Sequence, residues 1–140
     1  MDELVSLTYR SRARLADPTA QIVQIMRAAR VRNLRLGITG ILLYNGVHFV
    51  QTIEGPRAAC DELFRLISAD PRHQEILAFG FERIAARRFP DWSMRIVSRE
   101  ELRALAPGLE RLDLSGPEDV TELHRTIAAR LSRGDAAANG

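Results

Sequence analysis

Lysine is missing from this chain, and cysteine and tryptophan occur once each, as Cys60 and Trp92. One cysteine cannot close an internal disulfide and offers no cluster for a metal site. No apolar run approaches the ~18 residues of a membrane-spanning helix, and nothing at the N-terminus resembles a secretion signal. These absences argue for a soluble cytoplasmic protein with no membrane partner. All 20 basic residues are arginines, set against 18 acids for a net charge of +2. The arginines are interleaved with the acids. The clusters that do occur (Arg27, Arg30, Arg32 and Arg35; Arg87 and Arg88) read as solvated faces, which argues against a nucleic-acid partner.

What is present suits one ordinary domain with a small appendage: 140 residues, 46% hydrophobic and 27% charged. The opening LVSLTYRS alternates Val5, Leu7 and Tyr9 against Ser6, Thr8 and Arg10, as a half-buried strand does. A helix follows, with Asp17 as its cap and Pro18 in its first turn, and with Ile22, Ile25, Met26 and Ala29 as its buried stripe. Asn33 falls near its end, where a left-handed residue is tolerated. Strands Ile38–Tyr44 and Val47–Glu54 flank Asn45-Gly46, a strong hairpin signal. A second helix then begins at Gly55-Pro56, carries Cys60, Leu63, Phe64 and Ile67 inward, and stops at DPRH. EILAFGFERI and WSMRIV supply the remaining strands.

The order β-α-β-β-α-β with a fifth short strand predicts an α+β, ferredoxin-like sheet with two helices on one face. Residues 97–140 differ in character. Ser98 with Glu101 and Ser115 with Glu118 form capping boxes for two further helices, the longer one carrying Val120, Leu123, Ile127 and Leu131. These helices would cover the other sheet face, and the terminal GDAAANG would fray.

Alternation in VHFVQTIEG places Gln51 on the apolar face with Val47, Phe49 and Ile53. An unpaired primary amide in a core costs roughly 1–3 kcal/mol, so Gln51 needs a partner. In a ferredoxin-like sheet the first and third strands are central neighbours, which would put Tyr9 and Gln51 side by side beneath the helices.

LTYRS, RNLRLGITGILLYNGVHFVQTIEG, DPRH and RRFPDWSM, in that order and at that spacing, resemble the BLUF domain, a flavin-binding blue-light sensor. The resemblance covers residues 1–96, with 97–140 as a helical extension. The chain is similar to the short stand-alone members from purple photosynthetic bacteria, in which no enzyme output domain follows. The resemblance implies FAD as cofactor, with FMN or riboflavin also able to fill the slot. It implies that Tyr9 is the redox tyrosine and that Gln51 sits between it and the flavin edge. Asn33 would bond the carbonyl and N3 region, and Ile25 and Ile67 would line the two sides of the ring. Arg32, Asp70, Arg72 and His73 would lie around its pyrimidine side. Trp92 and Met94, sharing a face of the last strand, would be the relay beside Gln51. Light would then draw an electron and proton from Tyr9, and Gln51 would rotate or tautomerise into a reversible red-shifted state. An unidentified downstream protein, or a second copy of the chain as a homodimer, would receive the signal.

Other readings of the fold fit less well. An acylphosphatase-type enzyme wants a glycine-rich phosphate loop, and YRSRARLADP has no glycine. An RNA-binding module wants exposed aromatics in a basic pattern, which VHFVQTIE does not show. A non-photoactive protein-interaction domain of the same fold is the alternative that bound flavin and a spectral shift would separate from a photoreceptor.

Overall fold

The computed structural model describes residues 3–90, 92–105, 107–108, 111–112, 118–119, 122–127 and 129–130. Strands β1 (Leu4–Ala13), β2 (Thr39–Tyr44), β3 (His48–Pro56), β4 (His73–Arg83) and β5 (Arg95–Val97) form one sheet in the order β4-β1-β3-β2-β5. Helices α1 (Pro18–Leu36) and α2 (Arg57–Ser68) make the two crossovers, and a short α3 (Arg99–Leu105) follows β5. All pairings are antiparallel except β2 with β5. This is the expected ferredoxin-like α+β sheet, with β1 and β3 at its centre.

Local chemistry accounts for the element ends. Asp17 caps α1, its Oδ1 accepting from the Ala20 N–H, and Pro18 takes the first turn, where no donor is needed. At the other end Gly37, at φ 71°, makes the left-handed turn that stops the helix. The sequence assigned that role to Asn33, which instead lies inside the helix, buried and bonded elsewhere. In the β2–β3 hairpin, Asn45 Oδ1 accepts from the N–H groups of Val47 and His48 at 2.9 and 2.7 Å. This side chain mimics a backbone turn.

Two apolar cores sandwich the sheet. On the α1/α2 side, Leu7, Leu42, Phe49 and Ile53 pack with Ala29, Cys60, Leu63 and Met94. On the far side, Ile41, Leu43 and Val50 meet Phe89, Val97, Leu102, Leu112, Leu123 and Ile127. Each such aliphatic chain taken from water contributes roughly 1.5–3 kcal/mol. The segment after β5 therefore covers the far face, as the amphipathic pattern predicts. Ser98 opens α3 by accepting from Glu101 N–H at 3.2 Å, whereas the Glu101 carboxylate pairs with Arg95. Ser115, Val120, Leu131 and the terminal GDAAANG lie outside the described residues.

One expectation is corrected by this cover. The opening strand is buried on both faces, not half-buried: Ser6 and Thr8 are both buried, and Thr8 meets His124 of the C-terminal segment. His124 from that segment places Nε2 2.6 Å from Thr52 Oγ1 and 3.3 Å from Thr8 Oγ1, and the two hydroxyls are 2.9 Å apart. Burial pushes the His124 imidazole down to about 4, and the Arg88 charge adds to the effect, so the ring is neutral.

Candidate functional site

Between α1 and α2, above the centre of the sheet, lies a cleft of about 630 Å³ including its open mouth. Its floor comes from β1, β2 and β3: Tyr9, Leu42, Phe49 and Gln51. Its walls are Ile25, Ala28 and Ala29 of α1 and Leu66 and Ile67 of α2. Arg32, Asp70, Arg72, His73 and Met94 complete it. An apolar slot with a few converging polar groups is the usual form of a site for a flat, largely apolar ligand.

The register of the sheet sets the central contact. Tyr9 on β1 faces Gln51 on β3 directly across the ladder. The buried phenol donates to Gln51 Oε1 at 2.5 Å. Burial raises the phenol's pKa above the ordinary tyrosine value; nearby Asp70 adds to this and Arg32 opposes it. The proton therefore stays on Tyr9 at neutral pH. Gln51 Nε2 reaches Met94 Sδ at 3.7 Å. A thioether is a weak acceptor, so the amide has donor capacity left for a ligand carbonyl or ring nitrogen.

The surrounding polar groups brace one another. His73 Nε2 lies 2.7 Å from the Ile67 carbonyl, and its Nδ1 lies 2.7 Å from Ser11 Oγ. Because a carbonyl only accepts, Nε2 donates to Ile67, while Nδ1 is engaged by the Ser11 hydroxyl. Both nitrogens are thus engaged within the protein, and the ring edge packs against Tyr9 and Phe49. His73 therefore contributes a wall. Asp70 takes Arg72 as a two-pronged partner at 2.6–3.1 Å, which holds its carboxyl below the usual range. Arg32 stands half-buried at the same side, with Nε 3.4 Å from Asn33 Oδ1.

Of the residues singled out in the sequence, the cleft gathers Tyr9, Ile25, Arg32, Gln51, Ile67, Asp70, Arg72, His73 and Met94. It does not include Asn33 or Trp92. Asn33 is fully buried beside it, donating from Nδ2 to the Ser93 carbonyl at 2.8 Å. Trp92 and Met94 do not share a strand face. Both precede β5, in an irregular stretch where strand alternation does not apply; the Trp92 carbonyl accepts from Gly40 N–H at 2.9 Å. Met94 faces Gln51, whereas Trp92 stacks on Phe89 in the far-side core, with centroids 5.8 Å apart. Trp92 is therefore not beside Gln51 in this structure. Sequence reading missed Ala28, Ala29, Leu42, Phe49 and Leu66 as lining residues. Leu42 had a usable signal, since it falls opposite Gln51 in the hairpin.

These features fit a flavin. The aliphatic walls suit the ring body, and Gln51 offers a donor where the polar edge of a ring would meet the floor. Residues 4–95 match the family model described as BLUF: Sensors of blue-light using FAD. The chain is 39% identical over 93 residues to the blue light- and temperature-regulated antirepressor BluF of Escherichia coli, covering 66% of this chain and 23% of that protein. It is 35% identical over 136 residues to the photoactivated adenylate cyclase subunit beta of Euglena longa, covering 94% of this chain and 16% of that one. The chain thus spans under a quarter of the length of these two curated relatives. Among solved structures it resembles the dark state of BlrB, a BLUF protein, at 91% identity and TM-score 0.88, covering 92% of this chain and 98% of that one. It also resembles the BlsA photo-activated state at 25% identity and TM-score 0.78, covering 89% and 94%. The chain belongs to the BLUF family of flavin-binding blue-light sensors.

Proposed function

We propose that the cleft holds FAD by its ring and that Tyr9 and Gln51 together are the photochemical switch. The observation that carries this reading is the buried phenol–amide pair at 2.5 Å on the cleft floor. A bound flavin would supply, on absorbing blue light, the one-electron oxidant. Tyr9 would give up an electron to it and pass its phenolic proton along the bond to Gln51 Oε1, and the return of both would restore the phenol with no covalent bond formed.

What persists is the state of Gln51. Rotation of its amide exchanges Oε1 and Nε2, so the phenol meets a donor and must turn its own proton elsewhere. Tautomerisation has the same effect on the pattern. In a low-dielectric cleft such an exchange changes the local energy enough to shift a conformational equilibrium. Ile25 and Ile67 sandwich the ring, while Arg32, Asp70, Arg72 and His73 shape and brace its polar side. Asn33 acts from behind the cleft wall and, with Met94, ties the switch to residues 93 and 94. FMN or riboflavin would satisfy the same ring contacts. The relatives, an antirepressor and a photoactivated adenylate cyclase subunit, support a signal passed to a partner or output domain. The far-side core that includes Val97, Leu102, Leu112, Leu123 and Ile127 is the proposed route to it.

Gln51→Leu tests the reading. The variant should keep its flavin and lose the light-induced red shift, and a normal light response in it would defeat the mechanism.

A further inference from the structure

Residues 87–94 lead from β4 to β5 and present Ser93 to Asn33 and Met94 to Gln51. Two side chains fasten the start of this segment to the sheet, and neither belongs to the cleft. Glu54 of β3 is completely buried and accepts from two consecutive backbone N–H groups. Arg88 N–H lies 3.0 Å from both carboxylate oxygens, and Phe89 N–H lies 2.9 Å from Oε1. Arg87 fastens the same segment from its own side. Its guanidinium donates to Thr39 Oγ1 at 2.9 Å, to the Glu54 carbonyl at 2.9 Å and to the Gly37 carbonyl at 2.7 Å.

Building on the switch reading above, we propose that Glu54 and Arg87 are positioning residues: by clamping residues 87–89 to β2 and β3, they set how long the light-induced state lasts. Consecutive N–H groups converging on a carboxylate form a charge-assisted nest, stronger and more directional than neutral bonds. Glu54 lies three residues after Gln51 on the same strand, so one rigid element holds both the switch and the clamp. Downstream, β5 pairs with β2 from Arg95 onward. Between the clamp and β5 the Trp92 carbonyl accepts from Gly40 N–H, and the Ser93 carbonyl and the Met94 side chain are the groups that contact Asn33 and Gln51. Loosening the clamp lets Ser93 and Met94 leave and regain their positions with less hindrance. It thereby lowers the barrier between the two Gln51 states without touching the flavin.

The test is dark recovery after a blue flash in flavin-loaded Glu54→Gln, Arg87→Ala and Arg87→Lys. A glutamine removes the negative charge and replaces Oε2, one of the two oxygens that accept from Arg88 N–H, with a donor. An ammonium can serve fewer of Arg87's three acceptors. Expected is recovery faster by about threefold or more in Glu54→Gln and Arg87→Ala, intermediate in Arg87→Lys, with flavin affinity and dark spectrum unchanged. Amide exchange in the dark supplies the second readout: Arg88, Phe89 and Met94 should all exchange faster. Unchanged recovery despite faster exchange at Arg88 and Phe89 makes the clamp merely structural and overturns the proposal. If Glu54→Gln fails to fold, the two Arg87 variants carry the same comparison. If the wild type shows no red shift, the switch reading itself fails. The clamp's grip is then judged by exchange alone, and a Met94 amide indifferent to all three variants overturns it.

Discussion

A phenol and a primary amide buried 2.5 Å apart can pass a proton between them without water, and an amide can end such an exchange with its donor and acceptor reversed. Tyr9→Phe removes the donor while keeping the ring, so it should abolish the red shift and cost only about 0.5–1.5 kcal/mol of stability in a denaturant melt. The direction of the Tyr9 shift gives a pH prediction. A phenol whose folded pKa is raised contributes stability below the ordinary value of about 10 and loses it as pH climbs beyond. The amplitude of the light response should accordingly stay flat from about pH 7 to 10. A drop centred near pH 8 would show that Tyr9 is not the group responsible. At this scale the sequence was legible where both partners lie on regular strands. It was misleading at Asn33, which looks like a helix terminator until the Ser93 carbonyl, sixty positions away, comes into contact. His73 lines the cleft as expected, but its bonds to Ser11 and Ile67, which brace it there, had no local signal.

Elements translate these pairs into a frame. Gly40 on β2 stands so close to β3 that an added Cβ would fall 2.0 Å from the Thr52 carbonyl. Gly40→Ala should therefore destabilise by about 3 kcal/mol or more, measured by thermal melting, because backbone must move. On the far face, His124 bridges the strands at Thr8 and Thr52, each adjacent in sequence to a member of the switch pair. Its pKa falls from the ordinary 6.5 to about 4, so its neutral form contributes stability above pH 6.5 that is lost as pH drops toward 4. That difference amounts to about 3 kcal/mol at most. His124→Leu should flatten the fall in stability between those pH values, and an unchanged slope would remove His124 as its cause. The strands, both main helices and the hairpin could be read from period, caps and turn residues, which are local signals. The burial of Thr8 could not, because His124, which meets it, comes more than a hundred residues later. Trp92 and Met94 were misplaced for a related reason: alternation was extended into a stretch whose backbone is fixed by Gly40 and is not a strand.

The whole molecule is a sheet between two cores, with the cleft on one side and the C-terminal segment on the other. No helix among the described residues is long and apolar enough to cross a membrane. Removing residues after 98 would uncover Ile41, Leu43, Val50 and Phe89 together. Such a truncation should bind a hydrophobic dye and melt at lower temperature, whereas wild-type behaviour would mean the far face needs no cover. The ferredoxin-like order was readable because it follows from element sequence alone. The assignment of a flavin sensor needed separated motifs taken together, since Tyr9, Asn33 and Gln51 are each unremarkable singly. The central claim is that Gln51 rearranges in answer to light acting through Tyr9, and a difference spectrum of the purified protein after a blue flash tests it most directly. The account predicts a flavin spectrum that moves to the red and relaxes in darkness in the wild type, with flavin retained but no shift in Gln51→Leu. A wild-type protein that holds flavin without responding, or a Gln51→Leu variant that responds normally, would contradict it.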